Sequence, residues 1–439
     1  MVVRRVFFRF RPIGDSVSQP VRTIIGNVVS AFLSRGINLI STLLIVPMAV
    51  LGLGTDDYAI LALVLSATIL FAFSDLGLGL AVVNRVSNWR SNPEEARGAI
   101  RRAFWTLTFI SVAVAIICLA WIALIFVAAA ANGTDHRSLA VAVALLMTSL
   151  GLPAGLAQRI MFGLQKGLTA ALWTTAARLA SLAGVALAFH LQAELLVYVL
   201  AIVGLPVLVG WVNAAWLFTK ARPDLSPLSG AGRLLPYRQE VADGLSFLTL
   251  QVAVYAEFGI DSLLISLARG ADEVAYYDVM ARMFGYLPAL VSIGAFPLWP
   301  ALRRAMDAGD RAAERRLLRW AYLLTAAVCI VGGLPLAAFH AVAASAWVRV
   351  AFAPDYVLAF GWVAFVLATC MATVQGMYLN AAGLIIRQAK FMIPFVLILL
   401  LAKWGIARYG DLAALPLVTA LLIVVRMIIF SRWKTASNA

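Results

Sequence analysis

The sequence predicts an all-α polytopic membrane protein with twelve transmembrane helices, arranged in two six-helix lobes around a central cavity. Composition is the first reason: 63% of the 439 residues are hydrophobic and 13% are charged, whereas soluble domains carry roughly 25% charged residues. A mean hydropathy of +0.93 also excludes disordered, coiled-coil and collagen-like chains. The lengths of the apolar stretches and the distribution of Lys and Arg predict the number and orientation of the helices.

Twelve apolar stretches are long enough to cross a bilayer, which takes about 20 apolar residues. Several contain glycine or proline, which transmembrane helices tolerate because neighbouring groups satisfy the freed backbone atoms. The chain is therefore expected to cross the membrane twelve times. The predicted spans are residues 22–50, 59–83, 103–130, 139–160, 169–190, 195–219, 244–269, 275–299, 320–343, 356–380, 391–408 and 412–430.

Lys and Arg are concentrated in the connections on one side of the membrane. These connections hold 26 of the 35 Lys and Arg residues, and the opposite connections hold 3. Cytoplasmic loops carry such an excess, so both termini are predicted to be cytoplasmic in a bacterial inner membrane. The net charge of +14 then reflects topology and contact with membrane lipids, and no nucleic-acid partner is expected. The basic connections are residues 1–22, 84–102, 158–168, 220–243, 301–319, 381–390 and 431–439.

The two halves of the chain show an internal repeat at a shift of 216 residues. It aligns LGLGTDDYA (51–59) with LARGADEVA (267–275), and the basic segment 92–104 with the basic segment 308–320. Six spans per half give both halves the same orientation, as in transporters whose substrate site lies between parallel repeats. The predicted domains are an N-terminal lobe (1–219), a cytoplasmic linker (220–243) and a C-terminal lobe (244–439).

Arg35 lies about midway along the first predicted span, where a charge costs about 2.5–3.5 kcal/mol on insertion scales. A stripe of small polar residues follows the same helix. One interpretation is a helix that lines a wet cavity, in which Arg35 presents a cation to an anionic substrate. The alternative is contact between helices through small polar residues, with Arg35 paired to a carboxylate. The stripe consists of Asn27, Ser30, Ser34, Asn38 and Ser41.

Glu257 and Asp261 are four residues apart in the seventh predicted span, which places both on one face of a helix. Like charges at this spacing repel each other, so one carboxylate would hold a proton or an arginine would bridge the two. Such a pair is suited to coupling transport to protons. The alternative is structural pairing with Arg35, Arg178 or Arg282.

Three other spans contain charged residues. Asp278 and Arg282 are four residues apart in the eighth span and are expected to form an intrahelical ion pair. Arg178 lies in the middle of the fifth span and is a second candidate ligand for an anion. Asp75 lies toward the cytoplasmic end of the second span, where it either braces an opening or snorkels to the interface.

The remaining polar residues suggest no catalytic chemistry. Lys403 and Arg426 lie nearer the ends of the last two spans, where snorkelling accounts for them. His136, His190 and His340 lie in or beside the outer connections and are not expected to serve chemistry. The sequence contains no Walker A, HExxH or CxxC motif, and these motifs would indicate ATP binding or a metal site. A transporter without metal ligands or catalytic residues is therefore expected.

Several segments resemble those of a transporter family: the first span with Arg35, LGLGTDDYAIL (51–61), FSDLGLGLAVVNRVS (73–87), GIDSLLISLARGADEVAYYDV (259–279) and FPLWPALRRAMDAGD (296–310). On these segments the chain resembles the polysaccharide-transport (Wzx-type) branch of the multidrug/oligosaccharidyl-lipid/polysaccharide (MOP) superfamily. The resemblance implies a MATE-like fold of two lobes around a cavity. It also implies transport of undecaprenyl-diphosphate-linked oligosaccharides to the outer leaflet. Lipid II flippases resemble the chain less, because they usually have two further helices.

The sequence therefore predicts a flippase that moves a repeat unit of O-antigen, capsule or exopolysaccharide by alternating access. The expected partners are a polyprenyl-diphosphate-linked glycan, membrane lipids and polysaccharide polymerase or assembly proteins, and the expected state is a monomer. No cofactor is expected apart from coupling protons or sodium ions. The alternatives are an ion-coupled antiporter of small molecules or drugs and a structural partner of a glycan polymerase.

The predicted site divides into two groups of residues. The first group would line the cavity and bind the substrate, and the second would serve coupling or gating. The substrate-binding residues are Arg35, Asn38, Arg178 and Arg282, and the coupling or gating residues are Asp75, Glu257 and Asp261.

Overall fold

A computed structural model describes residues 18–72, 78–87, 92–132, 135–164, 166–229, 233–237, 248–249, 252–295, 298–382 and 384–436. The described chain is built from helices joined by short connections. In chain order, the helices are α1 (Ser18–Ala72), α2 (Leu78–Ser87), α3 (Pro93–Asn132), α4 (His136–Gly163), α5 (Gly167–His190), α6 (Leu195–Ala221), α7 (252–258), α8 (Asp261–Ala268), α9 (Ala271–Ala295), α10 (Leu298–Asp307), α11 (Arg311–Ala338), α12 (His340–Val348), α13 (Tyr356–Ala381), α14 (Ile385–Tyr409) and α15 (Ala414–Ala436).

Nine helices among the described residues are long and apolar enough to cross a membrane. The predicted class of an all-α polytopic membrane protein is therefore confirmed. The count of twelve spans stays a prediction, because the helices do not map one to one onto the apolar stretches. Helix α1 contains the first predicted span and most of the second, whereas α8 and the described part of α7 are each too short to cross a bilayer alone.

Helix α1 changes direction at Gly54, whose φ of 73° and ψ of 178° are not helical. This conformation is essentially limited to glycine, because a Cβ atom would clash with the backbone. The kink divides α1 into a first arm (18–53) and a second arm (55–72). Gly270, which the 216-residue shift aligns with Gly54, also has a positive φ, of 132°, and lies between α8 and α9. A glycine thus permits the turn between two successive spans in each half.

The kink of α1 is held against the start of α4 by ion pairs. Arg137 Nε lies 3.0 Å from Asp57 Oδ1, and Arg137 Nη2 lies 3.5 Å from Asp56 Oδ2. Asp135 caps α4, since its Oδ1 accepts the backbone N–H groups of Arg137 and Ser138, both at 3.1 Å. Hydrogen bonds from Ser138, with a smaller contribution from Arg137, hold the pKa of Asp135 below its usual value. The capping carboxylate is therefore ionised at neutral pH.

The buried apolar residues form one shared core near the kink and two separate cores at the opposite end. The shared core joins Tyr58, on the second arm of α1, to Phe284 of α9. A second core lies within the N-terminal half around Ile100, and a third lies within the C-terminal half around Leu302. The main contacts between the halves are those of α1 with α8, α9 and α12. The two halves therefore meet near the kink and diverge toward the basic connections.

Replacing Gly54 by Ala is expected to destabilise the protein by about 1–3 kcal/mol, because the added Cβ is strained in this backbone conformation. Gly376 of α13 is the matched control, since its backbone is helical and a Cβ there meets no atom within 4 Å. The measurement is the thermal unfolding midpoint of each purified variant in detergent. Equal midpoints for Gly54→Ala and Gly376→Ala would contradict the role of Gly54.

Candidate functional site

A cavity of about 710 Å³ lies between the two halves, beside the shared core. Its walls come from α1 to α6 on one side and from α7, α8 and α9 on the other. It extends to Phe162, near the end of α4 that precedes a basic connection. The charged residues that line it are Arg159, Arg178, Asp261, Asp278 and Arg282.

Arg178 projects from α5 into this cavity and is exposed there. It makes no hydrogen bond or ion pair with any residue that the structure describes. Arg282 lines the same cavity and is close enough to repel Arg178 electrostatically. Because an uncompensated charge in a membrane protein is costly, this part of the cavity is suited to an anion.

Arg282 is held by Asp278, one turn earlier on α9. Arg282 Nε lies 2.5 Å from Asp278 Oδ2, which confirms the expected intrahelical ion pair. The hydroxyl of Tyr58 donates a hydrogen bond to the same carboxylate oxygen at 2.6 Å. Tyr58 belongs to α1 and is only 2% exposed. A polar chain of three residues therefore crosses from one half of the protein to the other, and Tyr58 and Asp278 in it are buried.

Two further polar contacts join the halves. Ser66, on the second arm of α1, donates to the carbonyl of Gly259 and lies 3.3 Å from the hydroxyl of Tyr255. The indole Nε1 of Trp347, in α12, donates to the carbonyl of Leu43 at 2.8 Å. With the Tyr58 contact, these hydrogen bonds hold α1 to three elements of the C-terminal half.

The prediction that Glu257 and Asp261 lie on one face of a single helix is wrong, because the helix breaks between them. Residue 258 ends α7, Gly259 begins a turn, and Asp261 begins α8. A Cβ on Gly259 would lie 2.5 Å from the ring of Tyr255, so this close turn requires glycine. The break directs the two carboxylates to different partners, although Lys403 also donates to the backbone carbonyl of Glu257.

Lys403 and Arg426 are the partners of these carboxylates, and the expectation that they snorkel is wrong. Lys403 is 0% exposed, and its Nζ lies 2.7 Å from Asp261 Oδ1 and 2.9 Å from the carbonyl oxygen of Glu257. Arg426 is 6% exposed, donates to Glu257 Oε1 and lies over the ring of Phe395. A carboxylate on a neighbouring helix satisfies each cation without water, so neither side chain has to reach the interface.

The other predicted site residues are not among the described residues that line the cavity. Asp75 and the side chain of Arg35 are outside the described residues. Asn38 is half-buried, does not line the cavity, and its Oδ1 has no hydrogen-bond partner among the described residues. Glu257 is buried behind the wall. Of the predicted residues, the structure brings together Arg178, Asp261 and Arg282 at the cavity.

Sequence reasoning missed four residues of this site: Tyr58, Tyr277, Lys403 and Arg426. Tyr277 lines the cavity, and its hydroxyl donates to Asp261 Oδ2 at 2.8 Å. The sequence did carry one signal for Lys403 and Arg426. Glu257 and Asp261 have no basic residue near them in their own span, so each needs a cation from another span. The two tyrosines carried no such signal. In the described part of the chain, no group of His, Cys, Asp and Glu residues is arranged to hold a metal ion.

The profile of the family described as "Polysaccharide biosynthesis protein" matches residues 24–306, more than half of the chain. The chain belongs to this family. No curated protein matches the sequence significantly. This family match agrees with the polysaccharide branch that the sequence resemblance implied.

Solved structures of MOP-superfamily transporters share the fold at low sequence identity. A multidrug resistance MATE family transporter in an inward-facing conformation has 16% identity and a TM-score of 0.69, over 90% of this chain and 96% of its own. A MOP superfamily transporter from Pyrococcus furiosus has 14% identity and a TM-score of 0.66, over 97% of this chain and 98% of its own. The protein therefore has a MATE-like transporter fold and is a multi-pass membrane protein.

Replacing Lys403 by Met is expected to lower stability by about 3–5 kcal/mol, because it leaves the buried Asp261 charged and without its cation. The double variant Lys403→Met, Asp261→Asn is expected to recover most of this loss, since both charges are absent. Tyr277 can still donate to the amide oxygen of the new side chain. Thermal unfolding in detergent measures both variants. A double variant no more stable than Lys403→Met would contradict the pairing.

Proposed function

We propose that this protein is a flippase that moves a polyprenyl-diphosphate-linked oligosaccharide from the cytoplasmic to the outer leaflet of a bacterial inner membrane. Arg178 carries this proposal, because it is a cation in a central cavity with no counter-ion among the described residues. A second arginine, Arg282, lines the same cavity. Such a pair is stabilised by a ligand that brings negative charge, and a lipid diphosphate brings it while its tail stays in the bilayer.

Arginine suits a diphosphate by its geometry as well as by its charge. The planar guanidinium presents five donors that can bind phosphate oxygens in bidentate pairs. We assign Arg178 and Arg282 to the diphosphate or to an anionic sugar of the glycan. Arg35 would join them from α1. The glycan would occupy this cavity, where water and the polar side chains among the lining residues replace its hydration.

The orientation of the cavity supports loading from the cytoplasm. The two halves diverge toward the end of the helices that carries the basic connections. The positive-inside rule places these connections and both termini on the cytoplasmic side. Arg159 lines the cavity near this end, where a charged head group would enter. In this proposal the structure represents the inward-facing state of an alternating-access cycle between two lobes.

The membrane potential is the drive that we favour. Outward movement of negative charge gains about 2.3 kcal/mol per charge per 100 mV when the interior is negative. Glu257 and Asp261 are each neutralised by a fixed cation, Arg426 or Lys403. A sodium ion would have to displace this cation, so coupling at these carboxylates is the less favoured proposal.

The contact between Tyr58 and Asp278 links ligand binding to movement of the lobes. A diphosphate at Arg282 would compete with Asp278 for the guanidinium. Asp278 is 7% exposed, and a buried carboxylate that loses its cation becomes costly. If this region opens to water, the unpaired Asp278 carboxylate is hydrated and its burial no longer costs free energy. The same opening breaks the hydrogen bond from Tyr58 to Asp278. Substrate binding would thereby loosen the contact between Tyr58 and Asp278, which we call the outer contact between the two halves.

Two further expectations remain proposals. Asp75 is a proposed gating residue, and the proposed assembly is a monomer near a polymerase.

Complementation of a bacterial strain that lacks its own flippase tests the proposed function. Restored glycan export supports it. Drug resistance on overexpression without restored export would instead indicate the antiporter. If export were restored equally well after all cavity charges were removed, a structural partner of the polymerase would be the better explanation.

Within that assay, Arg178→Gln is expected to reduce glycan export tenfold or more at equal protein level. The lost charge-assisted hydrogen bonds contribute about 1.5–3 kcal/mol, and each 1.4 kcal/mol corresponds to about tenfold. Arg178→Lys keeps the charge but loses the planar donors, so it should give intermediate export. Lys220→Gln, at the exposed end of α6, removes one positive charge outside the cavity and is the control. Equal export by Arg178→Gln and Lys220→Gln would contradict the assignment.

Tyr58→Phe is expected to open the outer contact more often, because it removes the hydrogen bond to Asp278. A hydrogen bond to a charged group contributes about 1.5–3 kcal/mol, so the open population should rise about tenfold. The measurement is labelling of a single cysteine at Thr42, a lining residue, by a membrane-impermeant reagent added outside. Tyr276→Phe is the control, since that hydroxyl bonds to Ala353 within the C-terminal half. Unchanged labelling in Tyr58→Phe would rule out this contact as a latch.

A further inference from the structure

The start of α11 carries a cluster of exposed arginines that no described residue neutralises. Arg311, Arg315 and Arg319 follow one another at intervals of four residues, and Arg316 lies beside them. All four side chains are exposed, and none forms a hydrogen bond or ion pair with a residue that the structure describes. We call these four residues the α11 arginine cluster. Their spacing places them along one side of the helix.

The acidic residues closest in sequence are already engaged. Asp310 caps α11, since its Oδ1 accepts the backbone N–H of Ala313 at 2.8 Å. Glu314 also has a partner, and it is not one of the four arginines. The α11 arginine cluster therefore presents a local excess of positive charge.

The corresponding basic segment of the N-terminal half is arranged differently. Its Arg97 donates to the carbonyl of Asp224 at 3.2 Å, and its Arg101 donates to the carbonyl of Ser229 at 3.3 Å. Arg102 is 7% exposed and lies 4.5 Å from the centre of the Tyr237 ring. These arginines hold the predicted linker against α3. In the C-terminal half, no linker segment among the described residues packs on the corresponding arginines of α11.

The position of the cluster along α11 matches the head-group region of a bilayer. From Trp320 to Ala338 the helix is apolar and roughly 28 Å long, at 1.5 Å per residue, close to the hydrocarbon thickness of about 30 Å. Trp320 is 67% exposed and Leu324 is 63% exposed, as expected of side chains that face lipid. Trp is typical of the interface, so Arg319 and Arg315 lie at the level of the phosphates.

We propose that the α11 arginine cluster binds the head groups of anionic phospholipids in the cytoplasmic leaflet. Charge complementarity identifies the occupant: Arg315 and Arg319 lie at phosphate depth with Arg316 beside them, and none of the three is paired with a carboxylate that the structure describes. Each guanidinium can bind a phosphodiester through two donors. The basic segments of the two halves then have different tasks, since one holds the linker and the other anchors α11 to lipid.

Lipid retention tests the proposal independently of the transported substrate. The full-length protein is reconstituted in nanodiscs that contain zwitterionic phospholipid and phosphatidylglycerol, extracted gently, and analysed for bound lipid by native mass spectrometry. The wild type is expected to retain phosphatidylglycerol above its fraction in the nanodisc. The triple variant Arg315→Gln, Arg316→Gln, Arg319→Gln should lose most of this enrichment, by at least severalfold. The triple Lys variant should keep most of it, because attraction to an anionic surface depends on charge.

A control variant with the same loss of charge separates a site from general electrostatics. Arg137→Gln, Arg349→Gln, Arg408→Gln removes three positive charges from the opposite end of the protein. It should keep the enrichment of the wild type. The proposal is overturned if the α11 Gln variant retains as much phosphatidylglycerol as the wild type. It is also overturned if the two Gln variants lose it equally, or if millimolar inorganic phosphate displaces the lipid completely.

Discussion

A charge inside a membrane protein needs either a partner of opposite sign or contact with water, and this constraint organises the whole structure. Three carboxylates, Glu257, Asp261 and Asp278, are buried in the C-terminal half, and each has its own cation. Arg178 differs, because it has no partner in the described chain and faces the cavity. The same imbalance accounts for the exposure of Arg178 in the cavity and supports the proposal that an anion binds there.

The same constraint explains how the halves hold together and how they can separate. Between helices in lipid, apolar burial provides little driving force, so packing and a small number of polar contacts decide the association. The shared core around the second arm of α1 provides the packing. Tyr58, Ser66 and Trp347 provide hydrogen bonds across the boundary. These few hydrogen bonds between the halves can break at a modest cost in free energy, whereas the second and third cores each pack within one half.

The sequence allowed the fold class and the Asp278–Arg282 pair to be predicted, because composition and helical spacing determine both. It also aligned Gly54 with Gly270, and both have a positive φ. The partners of Glu257 and Asp261 could not be predicted, since they lie 169 and 142 residues away and depend on how the helices pack. The helix break at Gly259 was missed for a related reason. Glycine is common in membrane helices, and the close approach of Tyr255 is visible only in three dimensions.

The charge of the cavity lining also bears on what the protein can carry. Lys403 neutralises Asp261 from behind the wall, and Arg282 neutralises Asp278 within it. Two lining arginines then remain, Arg159 and Arg178, and only the latter is without a partner among the described residues. An antiporter of cationic drugs needs a carboxylate that is free to receive the drug, and both described lining carboxylates are occupied. A cation would therefore have to displace a tethered ammonium or guanidinium group, whereas an anion finds Arg178 already unpaired. This asymmetry is the physical reason to favour an anionic lipid-linked substrate over a cationic one.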